Sequence, residues 1–262
     1  MYKKTKILAT VGPASDSVEI LEGMINAGVN VFRLNFSHGT HAYHAETLAK
    51  IRQAEKNVHR KVGVLQDICG PKIRVGKLKE DFFLEAGDKI WFLKEEILGE
   101  KIDDKEYRLC INQPQILDML KVGEYIYLYD GNIRAKVIQI GDKILTEVEN
   151  NGKLSSNKGV NFPNTVINID VITPKDEEDL LWGAQNGVDF VAVSFVQSAK
   201  DVLQVREILR KHHSRSHIFA KIEKFDAVEN IDSILEVSDG IMVARGDLGI
   251  EVPYYKVPSI QK

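Results

Sequence analysis

The stretch Ser238-Asp-Gly-Ile-Met-Val-Ala-Arg-Gly-Asp-Leu-Gly-Ile-Glu251 decides the reading of the fold. Its apolar run, Ile241 to Ala244, predicts a strand buried on both faces. The run opens into Arg245-Gly246-Asp247-Leu248-Gly249, where two glycines let the backbone approach a ligand and Asp247 supplies a charge. An apolar strand ending in a glycine-flanked carboxylate is how parallel α/β folds present a metal ligand or anion-facing amides. On this segment alone, an ordinary strand-to-helix turn with a capping Asp reads equally well.

Outward from this stretch the same rhythm recurs. Strand-like runs start near residues 5, 30, 62, 190, 218 and 241, with gaps of 25, 32, 128, 28 and 23 residues. Helices separate them. Asp16 or Ser17 caps one that carries Ile20, Leu21, Met24 and Ile25 and stops at Gly28. Thr173 caps another, with Pro174 first and Asp176 and Glu177 in its opening turn. Ser198 caps a third, carrying Val202, Val205, Ile208 and Leu209, and Val228, Ile231, Ile234 and Leu235 mark a fourth. This βα rhythm predicts an α/β fold, either a parallel sheet or a (β/α) barrel.

The one long gap locates an insertion of about 100 residues. Short strands rich in Ile, Val, Tyr and Phe run there from about Val75 to Val166. Asp130-Gly131, Gly141-Asp142 and Asn151-Gly152 read as hairpin turns between them, and Tyr125–Tyr129 pairs with Ile133–Ile140. The insertion is therefore expected to be a separate all-β domain. A TIM barrel has eight strands and only six are found, so the expectation is a barrel truncated after strand six and unable to close.

Composition narrows the class. The chain has 262 residues, 44% hydrophobic and 28% charged, with a net charge of -3. That is a globular balance, and no run approaches the roughly 18 apolar residues of a membrane span. The near-neutral charge argues against a nucleic-acid partner, and neither a signal-like apolar segment nor a membrane partner is expected. Cys69 and Cys110 form no framework, so a reducing, cytoplasmic location is the expectation.

In a βα barrel the site lies at the carboxyl ends of the strands. Those ends read Arg33-Leu-Asn35-Phe-Ser37, Asp67-Ile-Cys-Gly-Pro-Lys72-Ile-Arg74, Ser194-Phe195, Lys221-Ile-Glu223 and Arg245-Gly246-Asp247. Lys221 and Glu223 are two apart and share a strand face. Glu223 and Asp247 suit a hard divalent cation, while Arg33, Arg74, Lys72 and Lys221 suit phosphate oxygens. Cations and a metal on one rim are what phosphoryl transfer requires. His41 and His44 form a possible helix pair for a metal but read as solvated, as do His212, His213 and His217. No GxGxxG or GxxxxGKS/T is found, so neither a Rossmann nor a P-loop site is supported.

The segments Lys4–Ser15, Arg33–Gly39, Gly70-Pro71 with Ile73-Arg74, Lys158–Asn161, Ala220–Glu223 and Ser238–Glu251 closely resemble pyruvate kinase, in that family's order. The resemblance implies a barrel interrupted after strand three by a β-rich lid. The expected division is residues 1–70 for the first part of the barrel, 71–167 for the lid and 168–262 for its second, incomplete part. It implies Glu223 and Asp247 as ligands of Mg²⁺ (or Mn²⁺). Arg33 and Lys221 would bind the phosphate of phosphoenolpyruvate, and Lys221 would stabilise the transferring phosphoryl group. The amides of Gly246 and Asp247 would take the substrate carboxylate, and Asn35, Arg74 and Lys158 would serve ADP or ATP. The implied reaction moves phosphate from phosphoenolpyruvate to ADP, giving pyruvate and ATP in glycolysis, and the full-length family member is a homotetramer.

Two departures matter. Many members read Asp-Thr-Lys-Gly-Pro-Glu-Ile-Arg where this chain has Asp67-Ile-Cys-Gly-Pro-Lys-Ile-Arg74. In them, residues matching Asn35, Ser37, Asp67 and Ile68 coordinate K⁺. Here the Lys72 ammonium is expected to replace that ion, so K⁺ is not required. The missing strands seven and eight include a threonine near the enolate, so this chain by itself is expected to turn over weakly or not at all. Two alternatives stay open: a fragment retaining only metal and phosphoenolpyruvate binding, and a Schiff-base barrel lyase using Lys221.

Overall fold

Glycines, caps and β-branched runs divide the chain as the local chemistry requires. The computed structural model describes residues 4–167 and 169–262. The first elements are β1 (Ile7–Thr10), α1 (Val18–Ala27), β2 (Val29–Asn35), α2 (His41–Asn57) and β3 (Gly63–Asp67). The Ser17 hydroxyl accepts from the Ile20 amide at the start of α1, and Gly28 ends that helix at φ 109°, a left-handed conformation that glycine adopts without penalty.

Nine short strands follow: β4 (Phe82–Leu84), β5 (Lys89–Leu93), β6 (Glu100–Asp103), β7 (Glu106–Cys110), β8 (Tyr125–Leu128), β9 (Ile133–Gln139), β10 (Lys143–Val148), β11 (Gly152–Leu154) and β12 (Val160–Asn161). The βα alternation then resumes with α3 (Pro174–Asn186), β13 (Phe190–Val193), α4 (Ala199–Lys211), β14 (His217–Ile222), α5 (Phe225–Glu229), α6 (Ile231–Val237) and β15 (Gly240–Val243). Last come α7 (Arg245–Glu251) and α8 (Val257–Gln261). Thr173 and Ser198 both form capping boxes, with Asp176 and Asp201 respectively.

The chain divides into two compact units. The first takes the described part of Met1–Pro71 together with Asp170–Glu223 and Ala227–Val243. Its six strands form one parallel sheet in the order β1-β2-β3-β13-β14-β15. β3 and β13 are neighbours in this sheet although more than a hundred residues lie between them in the chain. The helices bury one apolar cluster against the sheet, including Leu21, Ile25, Phe32, Ile51, Val191, Val205 and Ile218. This is an α/β fold, as the strand spacing predicts.

The second unit takes Lys72–Ile169, Lys224–Asp226 and Ala244–Lys262. It holds a seven-stranded sheet, β12-β8-β9-β10-β5-β7-β6, and a two-stranded one, β11-β4. All their pairings are antiparallel except β5 with β7. A separate apolar cluster fills this unit, built on Phe82, Ile90, Phe92, Ile126, Leu128 and Ile133.

Several local expectations need correction. Asn151-Gly152 is not a hairpin turn, because β11 pairs with β4 rather than with β10. Adding a Cβ to Gly152 would place it 2.4 Å from Ile133, so this glycine serves a close approach rather than a turn. β15 is half-exposed along its length rather than buried on both faces, since it stands at the end of the strand order. The helix expected through Val228–Leu235 is two short helices, with Leu235 exposed. His44 is not solvated; it is 3% exposed and its ring stacks on Phe36 with centroids 4.0 Å apart.

Candidate functional site

Parallel strands deliver their last residues to one edge of a sheet, so charges at successive strand ends become neighbours. In the first unit Thr10, Arg33, Asp67, Ser194, Lys221 and Glu223 come from the ends of β1, β2, β3, β13 and β14. Arg33 places Nε 2.6 Å and Nη2 2.5 Å from Asp67 Oδ2, and its Nη1 donates to Thr10 Oγ1 at 2.9 Å. Lys221 Nζ lies 2.7 Å from Glu223 Oε1 and 3.3 Å from Asp67 Oδ1, and donates to Ser194 Oγ at 2.8 Å. Glu223 Oε2 accepts the Phe195 amide at 2.8 Å.

The network therefore alternates two cations with two carboxylates. Asp67 and Glu223 are 1% and 3% exposed. Carboxylates that deep are tolerable only when paired and hydrogen-bonded. Burial opposes the charge on Lys221, but Glu223 and Asp67 outweigh it and hold the ammonium pKa above its ordinary value. An ammonium held in this way is suited to meeting phosphate oxygens.

Asn35 closes β2, and its Oδ1 accepts the Ser37 amide at 3.1 Å. Ile68 is buried, and its carbonyl accepts the Ser194 hydroxyl at 2.7 Å. Thr10 and Asn35 border a mainly apolar cavity of about 580 Å³ that also touches Gly12, Pro13, Tyr43 and His44. Tyr43 Oη and His44 Nδ1 have no hydrogen-bond partner among the described residues, and both residues line it. His44 Nε2 meets the His38 carbonyl at 2.9 Å, and burial lowers its pKa. His41 instead places Nε2 2.7 Å from Asp179 Oδ1, so the two histidines serve different partners.

The other expected site residues belong to the second unit. Gly246 and Asp247 occupy the first turn of α7, where amides have no intrahelical acceptor. Arg74 Nη1 donates to the Asn157 carbonyl at 2.9 Å, and Asn112 brackets the Arg74 backbone on both sides. Lys158 Nζ sits 4.1 Å from the centre of the Tyr129 ring, a cation–π contact. The Lys72 carbonyl accepts Asn112 Nδ2 at 3.0 Å. Among the described residues no group of three or more His, Cys, Asp or Glu could hold a metal ion.

The order and spacing of these residues agree with comparison to known proteins. The family profile for the pyruvate kinase barrel domain matches residues 2–262. The chain belongs to the pyruvate kinase family. Among relatives, the pyruvate kinase of Geobacillus stearothermophilus is 45% identical over 267 residues, covering 100% of this chain and 45% of the relative. Pyruvate kinases of Staphylococcus aureus (strain MRSA252) and Staphylococcus epidermidis are each 41% identical over 264 residues, covering 99% of this chain and 44% of theirs. This pyruvate kinase family chain thus spans about half the length of the curated relatives it matches. Among the described residues no helix is long and apolar enough to cross a membrane.

The strand ends alone gave roles to Arg33, Lys221 and Glu223. They included Asp67 and Ser194 without a role for either, and the Tyr43–His44 cavity was not foreseen. The visible signal for Ser194 is that it too follows a buried strand; for the cavity, the signal is His44 at helical spacing from Leu48 and Ile51.

Proposed function

We propose that this chain provides the phosphoenolpyruvate- and nucleotide-binding part of a pyruvate kinase, which transfers phosphate from phosphoenolpyruvate to ADP. The single observation carrying the reading is the Arg33–Asp67–Lys221–Glu223 network at the ends of β2, β3 and β14 of one parallel sheet, in a chain of this family. Arg33 and Lys221 bind the phosphate, and Lys221, held charged, stabilises the phosphoryl group in transfer. Glu223 and Asp247 hold Mg²⁺ or Mn²⁺. A hard cation keeping several waters needs only one or two protein carboxylates. When bound, that cation neutralises the phosphate and carboxylate charge. The Gly246 and Asp247 amides receive the substrate carboxylate.

On the nucleotide side, Asn35, Arg74 and Lys158 meet the phosphates and ribose. The neighbouring cavity, with unpartnered Tyr43 Oη and His44 Nδ1, accepts the flat base. Residues 1–70 and 168–262 form parts of the barrel and 71–167 the lid. Lys72 serves in place of the K⁺ that Asn35, Ser37, Asp67 and Ile68 would otherwise hold. The whole protein works as a cytoplasmic homotetramer.

Isothermal titration tests the reading directly. Phosphoenolpyruvate is expected to bind in the presence of Mg²⁺, and Lys221→Met to weaken it by roughly ten- to a hundredfold, the loss of a hydrogen-bonded charge. No binding to the folded chain would refute the proposal. A borohydride-trapped adduct on Lys221 would support the lyase alternative instead. Stimulation of the full-length protein by KCl over tetramethylammonium chloride would remove Lys72 from its role.

A further inference from the structure

We propose that Ser194 is the positioning residue for Lys221, and that the Ser194–Phe195 turn sets Lys221 and Glu223 as a single unit. The proposal rests on the phosphoenolpyruvate reading of the site for its consequence, but not for its geometry. Ser194 follows β13 and is 3% exposed. Its hydroxyl has one proton and two lone pairs. The proton goes to the Ile68 carbonyl at 2.7 Å, the shorter of its two acceptor contacts, the other being Asp67 Oδ1 at 3.3 Å. A lone pair is then left facing Lys221 Nζ at 2.8 Å.

An ammonium has three donors, and here they point at Glu223, Asp67 and Ser194. Two of these partners attract by charge from whatever rotamer the long lysine side chain adopts. Ser194 is neutral and anchored to the end of β3, so it fixes direction without adding charge. Phe195 completes the device. Its φ of 59° lies in the left-handed region that non-glycine residues avoid, and its amide donates to Glu223 Oε2 at 2.8 Å. Gly70, at φ 67°, packs against the turn so closely that a Cβ there would lie 2.9 Å from the Phe195 ring and 3.3 Å from Ser194 Cβ. The strained dipeptide is therefore held from both sides, with one arm on the cation and one on the carboxylate.

The test compares Ser194→Ala, Ser194→Thr and wild type in two measurements. The first is isothermal titration with Mg²⁺ alone and with phosphoenolpyruvate at fixed Mg²⁺. The second is the rate at which acetic anhydride acylates Lys221 at one pH, followed by peptide mass spectrometry. Ser194→Ala is expected to weaken phosphoenolpyruvate roughly tenfold and leave Mg²⁺ within about twofold, because the Phe195 amide still holds Glu223. It is also expected to speed Lys221 acylation several-fold, while Ser194→Thr, which keeps the hydroxyl, stays close to wild type. Unchanged acylation and affinity in Ser194→Ala would overturn the proposal. So would equal weakening of both ligands, which marks a purely structural role. If Ser194→Ala does not fold, Ser194→Cys, of similar volume but a weak acceptor, gives the same comparison. If wild type takes no phosphoenolpyruvate, the functional reading fails and the acylation rates alone decide the role of Ser194.

Discussion

Replacing Asp67 with asparagine removes one charge from a buried network and keeps its shape. The carboxylate side chain is 2% exposed, against 23% for Arg33 and 12% for Lys221. In the wild type Arg33 and Lys221 face Asp67 and Glu223, two cations and two anions. Asp67→Asn leaves one buried positive charge in excess. Breaking such a pair from one side costs about 3–5 kcal/mol. Arg33 retains some water and asparagine keeps one acceptor oxygen, so the lower end, about 3 kcal/mol, is expected. At roughly 2–4 °C per kcal/mol for a chain of this size, the first unit should melt about 6–12 °C lower. Trp182 lies in this unit, and its fluorescence in a Trp91→Phe background follows that transition alone. Adding Arg33→Met removes the excess charge and should recover about 1 kcal/mol, since neighbouring sites do not add. A Tm change under about 2 °C, or a double variant less stable than Asp67→Asn, would refute the charge-balance reasoning.

Buried His44 and half-buried Glu251 give opposite pH dependences. Burial depresses the His44 pKa below 6.5 against the pull of His38 and Asp179, so its contribution is complete above pH 6.5 and lost as pH falls through the lowered value. Urea titrations at pH 7.5 and 5.5 should show a fall in stability on acidification that His44→Gln reduces; an unchanged fall would reject it. Glu251 behaves the other way: burial raises its pKa above 4.5 despite Lys224 and Asn161, and its stabilising effect is lost as pH rises through the raised value. Glu251→Gln should therefore stabilise the second unit at pH 7.5 and not at pH 4.5, as read by Trp91 fluorescence in a Trp182→Phe background. Gly70→Ala should cost about 1–3 kcal/mol, since a Cβ meets both a left-handed φ and the Phe195 ring, and thermal melts measure it. A variant as stable as wild type would show that the turn gives way easily.

The sequence alone determined the βα rhythm, the place of the β insertion and the strand ends that carry charge. These follow from local rules. Ser17, Thr173 and Ser198 cap helices wherever they stand, Gly28 ends one by its own backbone freedom, and alternation puts Lys221 and Glu223 on one face. Only the tertiary structure decided which charges meet. Asp67 became the shared counter-ion of Arg33 on β2 and Lys221 on β14 because β3 lies beside β2 and only β13 separates it from β14, an order formed across the whole insertion. The same long-range packing buried His44 on Phe36, joined β11 to β4, and turned the Ser194 hydroxyl towards Lys221. Propensity acts between near neighbours in the chain. Burial and ion pairing act between neighbours in space, and those exist only once the sheet has formed.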